Sequence, residues 1–250
     1  MKKKRRIQKV YGINACEDLR GAFEMRPFQG QDPRDEIAKA IFIGLDANYP
    51  NILKDHTDFL KILLRYHKKG DQFWENDQAN PNQKHHPFLL DCFPFDRRKD
   101  GCRYHRRFDN IGFTPATNYA QYISFLELLA VPTTNDARPE DQISRDVLLM
   151  RSGSHLDVYV KTSMTSHTPR AIFLSRDVIN KYNQAIIDFK IIRDDLLPNP
   201  PIVNNEPVLI GCRDRAELYK CYHLSIRKNE REVHEHLSKI KMIVDRIIAI

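Results

Sequence analysis

Apolar and polar positions follow two rhythms along this chain. Short apolar runs predict strands covered on both faces, since such strands have no polar side. They are Lys39-Ala40-Ile41-Phe42-Ile43-Gly44, Ala171-Ile172-Phe173-Leu174, Val208-Leu209-Ile210-Gly211 and Leu218-Tyr219-Lys220-Cys221-Tyr222. Between them apolar residues recur at helical spacing. Phe59, Leu60, Leu63 and Leu64 predict a helix over 55–67. Tyr119, Tyr122, Ile123, Leu126 and Leu129 predict a second over 117–129. Further helices are expected over 156–164 and through Ile179, Tyr182 and Ile186. The chain closes on a helix whose buried stripe is Val233, Leu237, Ile240, Val244, Ile247 and Ile248. Segments 26–34, 132–142 and 198–201 read as loops, and 71–107 as a polar, aromatic excursion. Strands alternating with helices predict an α/β fold: three α/β/α layers around a mainly parallel sheet of about four strands. In such a sheet the ligand lies beyond the carboxyl ends of the strands.

Composition narrows the class. The 250 residues, 41% hydrophobic, suffice for one sizeable core. A single domain is expected, with a basic tail at 1–9 and an insertion at 55–103. The net charge of +7 favours a polyanionic partner, nucleic acid before a membrane surface. Met1-Lys2-Lys3-Lys4-Arg5-Arg6 lacks the apolar run of a signal peptide. It reads either as an arm along phosphates or as a solvated tail. Cys16, Cys92, Cys102, Cys212 and Cys221 are odd in number and form no CxxC, which argues against a disulfide framework and for the cytoplasm. No apolar stretch approaches the roughly 18 residues of a membrane span. His85, His86, Cys92, Cys102 and His105 lie in one polar excursion, but their spacing fits no familiar zinc module. Neither a metal nor another cofactor is expected, and the protein is expected to be a monomer.

The residues that follow the strands carry the candidate chemistry. Gly44-Leu45-Asp46-Ala47-Asn48-Tyr49-Pro50 ends the first run. Its glycine suits close approach of a ligand and its carboxylate suits acid–base work, although Asp and Asn are also the commonest turn residues. His223-Leu224-Ser225 follows the last run, with the basic Ile226-Arg227-Lys228-Asn229 beyond. A histidine there can donate a hydrogen bond to a negative oxygen. Equally, it reads as a surface histidine at a helix entry, with Ser225 as the cap.

Taken together, these two segments resemble the paired motifs of the uracil-DNA glycosylase superfamily. Ile43-Gly44-Leu45-Asp46-Ala47 is similar to its G-Q-D-P-Y or G-I-N-P-G motif after the first sheet strand, and His223-Leu224-Ser225 to its H-P-S or N-P-S motif after the last. Arg107-Phe108-Asp109-Asn110-Ile111-Gly112-Phe113-Thr114 is similar to the mismatch-specific branch, where a helix ends in a G-F-T turn. Leu128-Leu129-Ala130-Val131-Pro132-Thr133-Thr134 stands where that branch has a glycine-valine-threonine turn. The resemblance spans 38–250. Both motif prolines are replaced, by Ala47 and Leu224, and Asn48 takes the place of the motif tyrosine.

The resemblance implies a monofunctional DNA glycosylase that flips a modified pyrimidine out of double-stranded DNA and leaves an abasic site. Asp46 and His223 would then be catalytic. Gly44, Leu45, Asn48, Tyr49, Phe93 and Ser225 would line the base, and Arg227 and Lys228 would meet the DNA. Phe93 resembles a stacking phenylalanine of the uracil enzymes and reads equally as a core aromatic. Asn135, Ser152 and Ser175 are candidates for reading the base edge. Some members of the superfamily excise glucosylated hydroxymethylcytosine from phage genomes. The insertion and the open Asn48 position suggest that substrate. The alternatives are uracil or mismatch repair and a catalytically silent nucleic-acid-binding module of the same fold.

Overall fold

A computed structural model describes residues 10–49, 53, 55–68, 104, 107, 111, 122–134, 142–144, 158–160, 162–175, 178–179, 201–224, 226 and 228–249. In chain order the elements are β1 (Val10–Ile13), α1 (Glu17–Met25), β2 (Phe28–Gly30), β3 (Ala40–Asn48) and α2 (Thr57–Lys68). Then follow β4 (Ile123–Thr134), β5 (Gln142–Ser144), β6 (Arg170–Ser175), β7 (Val208–Arg213), β8 (Ala216–Cys221) and α3 (Glu230–Ile248). The fold is α/β, as the alternation of runs predicts.

The sheet is larger and more mixed than expected. It holds eight strands in the order β5-β1-β4-β3-β6-β8-β7, with β2 paired to β4 off that path. Its centre is parallel: β3 pairs in parallel with β4 and β6, and β6 with β8. Antiparallel strands extend it, with β7 beside β8 and with β1, β2 and β5 on the other side.

Both faces of the parallel centre are buried. On one face a row of rings crosses the strands: Phe125, Phe42, Phe173 and Tyr219, at centroid spacings of 6.0, 4.8 and 5.6 Å. Helix α3 lies over this row through Val233, Leu237, Ile240, Val244 and Ile247. It is the expected closing helix, with His236 added to the stripe. On the other face Ile41, Ile43, Leu126, Ile172, Leu174 and Leu218 pack against Tyr159, Val160, Met164, Val178 and Ile179. These lie in helical residues 158–160, 162–164 and 178–179.

Three expectations need correcting. Within the helix expected over 117–129, residues 123–129 are strand, and the loop expected over 132–142 begins with the last three residues of the same strand, β4. Ile123, Leu126 and Leu129 stand three apart, yet Ile123 and Phe125 face α3 while Leu126 and Leu128 face the opposite core. A strand buried on both faces presents apolar residues at every spacing, so periodicity does not distinguish it from a helix, and tertiary pairing decides. Residues 128–134 are accordingly strand rather than turn. The loop expected over 26–34 contains β2, held against β4. There Gly30 has φ of 80°, and a Cβ would lie 2.5 Å from the Ile123 carbonyl oxygen, so only glycine fits.

The expected insertion is also not all excursion. Phe59, Leu60 and Leu63 of α2 pack with Leu19 and Phe23 of α1 and with Tyr49 in a third buried cluster. His67 of α2, itself buried, stacks on Phe23 at 4.4 Å, and Arg26 donates to the carbonyls of His67 and Lys68. The basic tail at 1–9 and all of 69–103 lie outside the described residues.

Candidate active site

Four parallel strands end on one edge of the sheet. Ile43 of β3 is level with Leu174 of β6, Leu174 with Lys220 of β8, and Ser175 with Cys221. Asp46 on β3 is three residues past Ile43, and His223 is three past Lys220. The two expected catalytic residues therefore come from strands on either side of β6, Asp46 near the carboxyl end of β3 and His223 two residues past the end of β8. Two strand spacings separate their strands, about 10 Å. Opposite Asp46 the register breaks: Asp46 pairs with Leu129 of β4, but Asn48 pairs with Thr133. Such an irregularity bends a strand and re-aims its residues.

Gly44 leaves room for a side chain from the neighbouring strand. It is level with Glu127 of β4, and a Cβ on Gly44 would stand 2.2 Å from Glu127 Oε2. The Glu127 carboxylate therefore lies over Gly44. The residue is half-buried, with Oε2 out of solvent. Two phenols feel its charge. Burial raises the pKa of Tyr104, and the Glu127 carboxylate adds to the rise. Burial likewise raises Tyr49; a hydrogen bond from Gln29 opposes the shift and Glu127 reinforces it. Tyr104 meets Phe125 edge-on at 6.5 Å, and its ring lies 5.4 Å from that of His223. Gly44, Glu127, Tyr104 and His223 thus form one neighbourhood at the strand ends.

The segment carrying His223 is tied down on both sides. Arg107, 5% exposed, donates through one guanidinium nitrogen to the carbonyls of Leu224 at 2.8 Å and Ile226 at 2.6 Å. Its other nitrogen reaches Glu230 at 3.0 Å. Ile226 N–H closes a turn on the His223 carbonyl at 2.9 Å. On the far side Tyr222 N–H donates to His236 Nε2 at 3.0 Å, so His236 Nδ1 carries the proton it gives to the Asn205 carbonyl at 2.8 Å. Burial lowers the pKa of His236 to about 4, which keeps the ring neutral for this double role.

The remaining expected site residues divide. Leu45 lies on β3, and Asn48 closes it opposite Thr133. Tyr49 belongs to the third buried cluster, 3% exposed. Its hydroxyl accepts from Gln29 at 2.5 Å and its ring meets Phe23 edge-on at 6.2 Å. That packing makes it a core residue. Lys228, partly exposed, folds over Tyr222: its ammonium lies 4.0 Å from the ring centroid, donates to the Tyr222 hydroxyl at 2.8 Å and pairs with Glu232 at 3.2 Å. Ser175 ends β6, where its hydroxyl accepts from Val178 N–H at 3.3 Å. Cys221 is buried and its thiol is pushed up to about 12, which makes it a poor nucleophile at neutral pH. Phe93, Ser225, Arg227, Asn135 and Ser152 lie outside the described residues, as do His85, His86, Cys92, Cys102 and His105. Among the described residues no three His, Cys, Asp or Glu side chains group to hold a metal, and no helix is long and apolar enough to cross a membrane.

Glu127, Tyr104 and Arg107 are the members of this neighbourhood that sequence reasoning missed. Glu127 had a signal, being the one charged residue in the run Ile123-Ser124-Phe125-Leu126-Glu127-Leu128-Leu129-Ala130-Val131. Arg107 had none, since it is one basic residue in a basic stretch. No protein-family model, no curated protein and no solved structure matches this chain.

Proposed function

We propose that this protein is a monofunctional DNA glycosylase, a cytoplasmic monomer that flips a modified pyrimidine out of double-stranded DNA and hydrolyses its N-glycosidic bond. The observation that carries the reading is the common edge of the parallel strands. Asp46 and His223, distant in sequence, come near the carboxyl ends of β3 and β8 with one strand between them. The order β4-β3-β6-β8, with packed cores on both faces, agrees with the three-layer arrangement that the resemblance to uracil-DNA glycosylases implies. The net charge of +7 suits a phosphate backbone.

The chemistry is dissociative. The bond from C1′ to the base nitrogen breaks and its electron pair leaves with the base. Positive charge develops on the sugar and negative charge on the base. The carboxylate of Asp46 stabilises the first and orients the water whose oxygen bonds to C1′, the water's proton passing to the carboxylate and then to solvent. A hydrogen bond donated by His223 stabilises the second, and the base leaves after taking a proton from solvent. Flipping costs a few kcal/mol, offset by contacts to the displaced base and to the phosphates.

The deciding experiment incubates the protein with uracil-containing, unmodified and glucosylated hydroxymethylcytosine DNA and scores alkali-labile abasic sites. Sites in the glucosylated DNA alone support the phage-defence form of the reading. Sites in uracil DNA alone assign the protein to repair. Binding without sites in any DNA overturns the enzymatic reading in favour of a silent binding module.

A further inference from the structure

Resting on that reading, we infer that Glu127 selects the base: its carboxylate accepts a hydrogen bond from the 4-amino group of a cytosine-type pyrimidine and disfavours the 4-keto edge of a uracil type. The placement is specific. Glu127 stands on β4 beside β3, level with Gly44 and just short of Asp46. Its carboxylate lies where the Gly44 side chain would otherwise be. Its charge reaches Tyr104, whose ring adjoins His223. A base held between Asp46 and His223 would therefore have this carboxylate at its edge.

The chemistry follows from donors and acceptors. An ionised carboxylate only accepts hydrogen bonds. A pyrimidine with an amino group at position 4 offers it a donor, whereas a keto oxygen there meets it with a second acceptor and repels it. Carboxylates pair with the cytosine amino group on this basis. A charged acceptor with one oxygen out of solvent strengthens the discrimination, because a mismatched polar group set against that oxygen loses its water without gaining a hydrogen bond. Gly44 matters for the same reason, since any larger residue would push the carboxylate away from its place.

The test uses the full-length protein and pairs of duplexes that differ at position 4 of one pyrimidine. The pairs are 5-hydroxymethylcytosine with 5-hydroxymethyluracil, and cytosine with uracil. Each target carries 2′-fluorine on the sugar so that binding is measured without cleavage, and unfluorinated duplexes report excision. The wild type should prefer the amino member by about tenfold or more, the scale of one good edge contact. Glu127→Gln, whose amide both donates and accepts, should bring the two members within about twofold while melting like the wild type. Gly44→Ala should also erode the preference, as a second route to a displaced carboxylate. A wild type that excises bases but binds both members equally, or a Glu127→Gln protein that keeps the preference, overturns the role of Glu127 and leaves the glycosylase reading standing. Absence of excision from every duplex, glucosylated DNA included, overturns both.

Discussion

Replacing Arg107 by Met removes the donors that hold the His223 segment while keeping an apolar stem of similar length. The guanidinium gives two short hydrogen bonds to main-chain carbonyls, at 2.8 and 2.6 Å, from a side chain 6% exposed. Bonds from a charged donor contribute about 1.5–3 kcal/mol each, and carbonyls left without a donor away from water keep their full desolvation cost. The contact to Glu230 adds little, because that carboxylate is 84% exposed and an exposed partner is screened by solvent. The expected loss is about 3–5 kcal/mol, a large share of the 5–15 kcal/mol typical of a folded domain. Urea unfolding should show it as a lower midpoint with unchanged slope, and a melt as a fall of about 10 °C. Glu230→Gln should change stability by less than about 1 kcal/mol. The NMR signal of the His223 ring should broaden or shift in Arg107→Met and stay in place in Glu230→Gln. An Arg107→Met protein with wild-type midpoint and an unmoved His223 signal would refute the clasp.

Asp46→Asn should lower excision by about 100-fold or more with binding retained, measured under single-turnover conditions; a wild-type rate would make Asp46 a turn residue. His223→Ala should slow excision most for bases that leave as poor anions, whereas equal slowing for good and poor leaving bases would leave His223 only a structural role. DNA affinity should fall steeply with salt, and deletion of 2–6 should lessen the slope if the tail lies along phosphates. Acid should destabilise the fold. Burial lowers His67 and His236 to about 4, so the unfolded chain takes up their protons first as pH falls from about 6.5 towards 4. The loss should reach about 2 kcal/mol per histidine at pH 5 relative to pH 7, read from urea midpoints, and His236→Gln should remove about half of it.

What the sequence disclosed follows from how each element is buried. The closing helix has one apolar stripe and one solvated side, so the helix and five of its six buried residues were legible, the exception being His236. Strands β3, β6 and β8 were legible as short apolar runs between polar stretches. Strand β4 was not, because burial on both faces erases the alternation that marks a strand. The outer strands β1, β2 and β5 are three or four residues long and owe their conformation to pairing with the longer β4 or with each other. Asp46 and His223 could be nominated because each follows an apolar run. Glu127 showed only as a charge in an apolar run, since its place in the site rests on a glycine that is distant in sequence and becomes adjacent only when β3 and β4 pair in parallel.

The two missing motif prolines have different structural counterparts. Proline stiffens a loop by fixing φ. At the second position Leu224 is 5% exposed and packed in the cluster under α3, while its carbonyl is gripped by Arg107. The preceding Tyr222 N–H is held by His236. Packing and two hydrogen-bonded partners, Arg107 and His236, thus hold the segment where a ring would have held it. At the first position Ala47 lies inside the register break between Asp46 and Asn48, where β4 supplies extra residues against β3. The absence of the prolines is therefore weak evidence for a silent module. The cations argue the same way. Arg107 is buried and gives its guanidinium hydrogen bonds to the carbonyls of the loop, and Lys228 braces Tyr222 at its start. Holding a donor rigidly is what electrostatic stabilisation of a departing base requires, because a donor that must first reorganise gives up much of its effect.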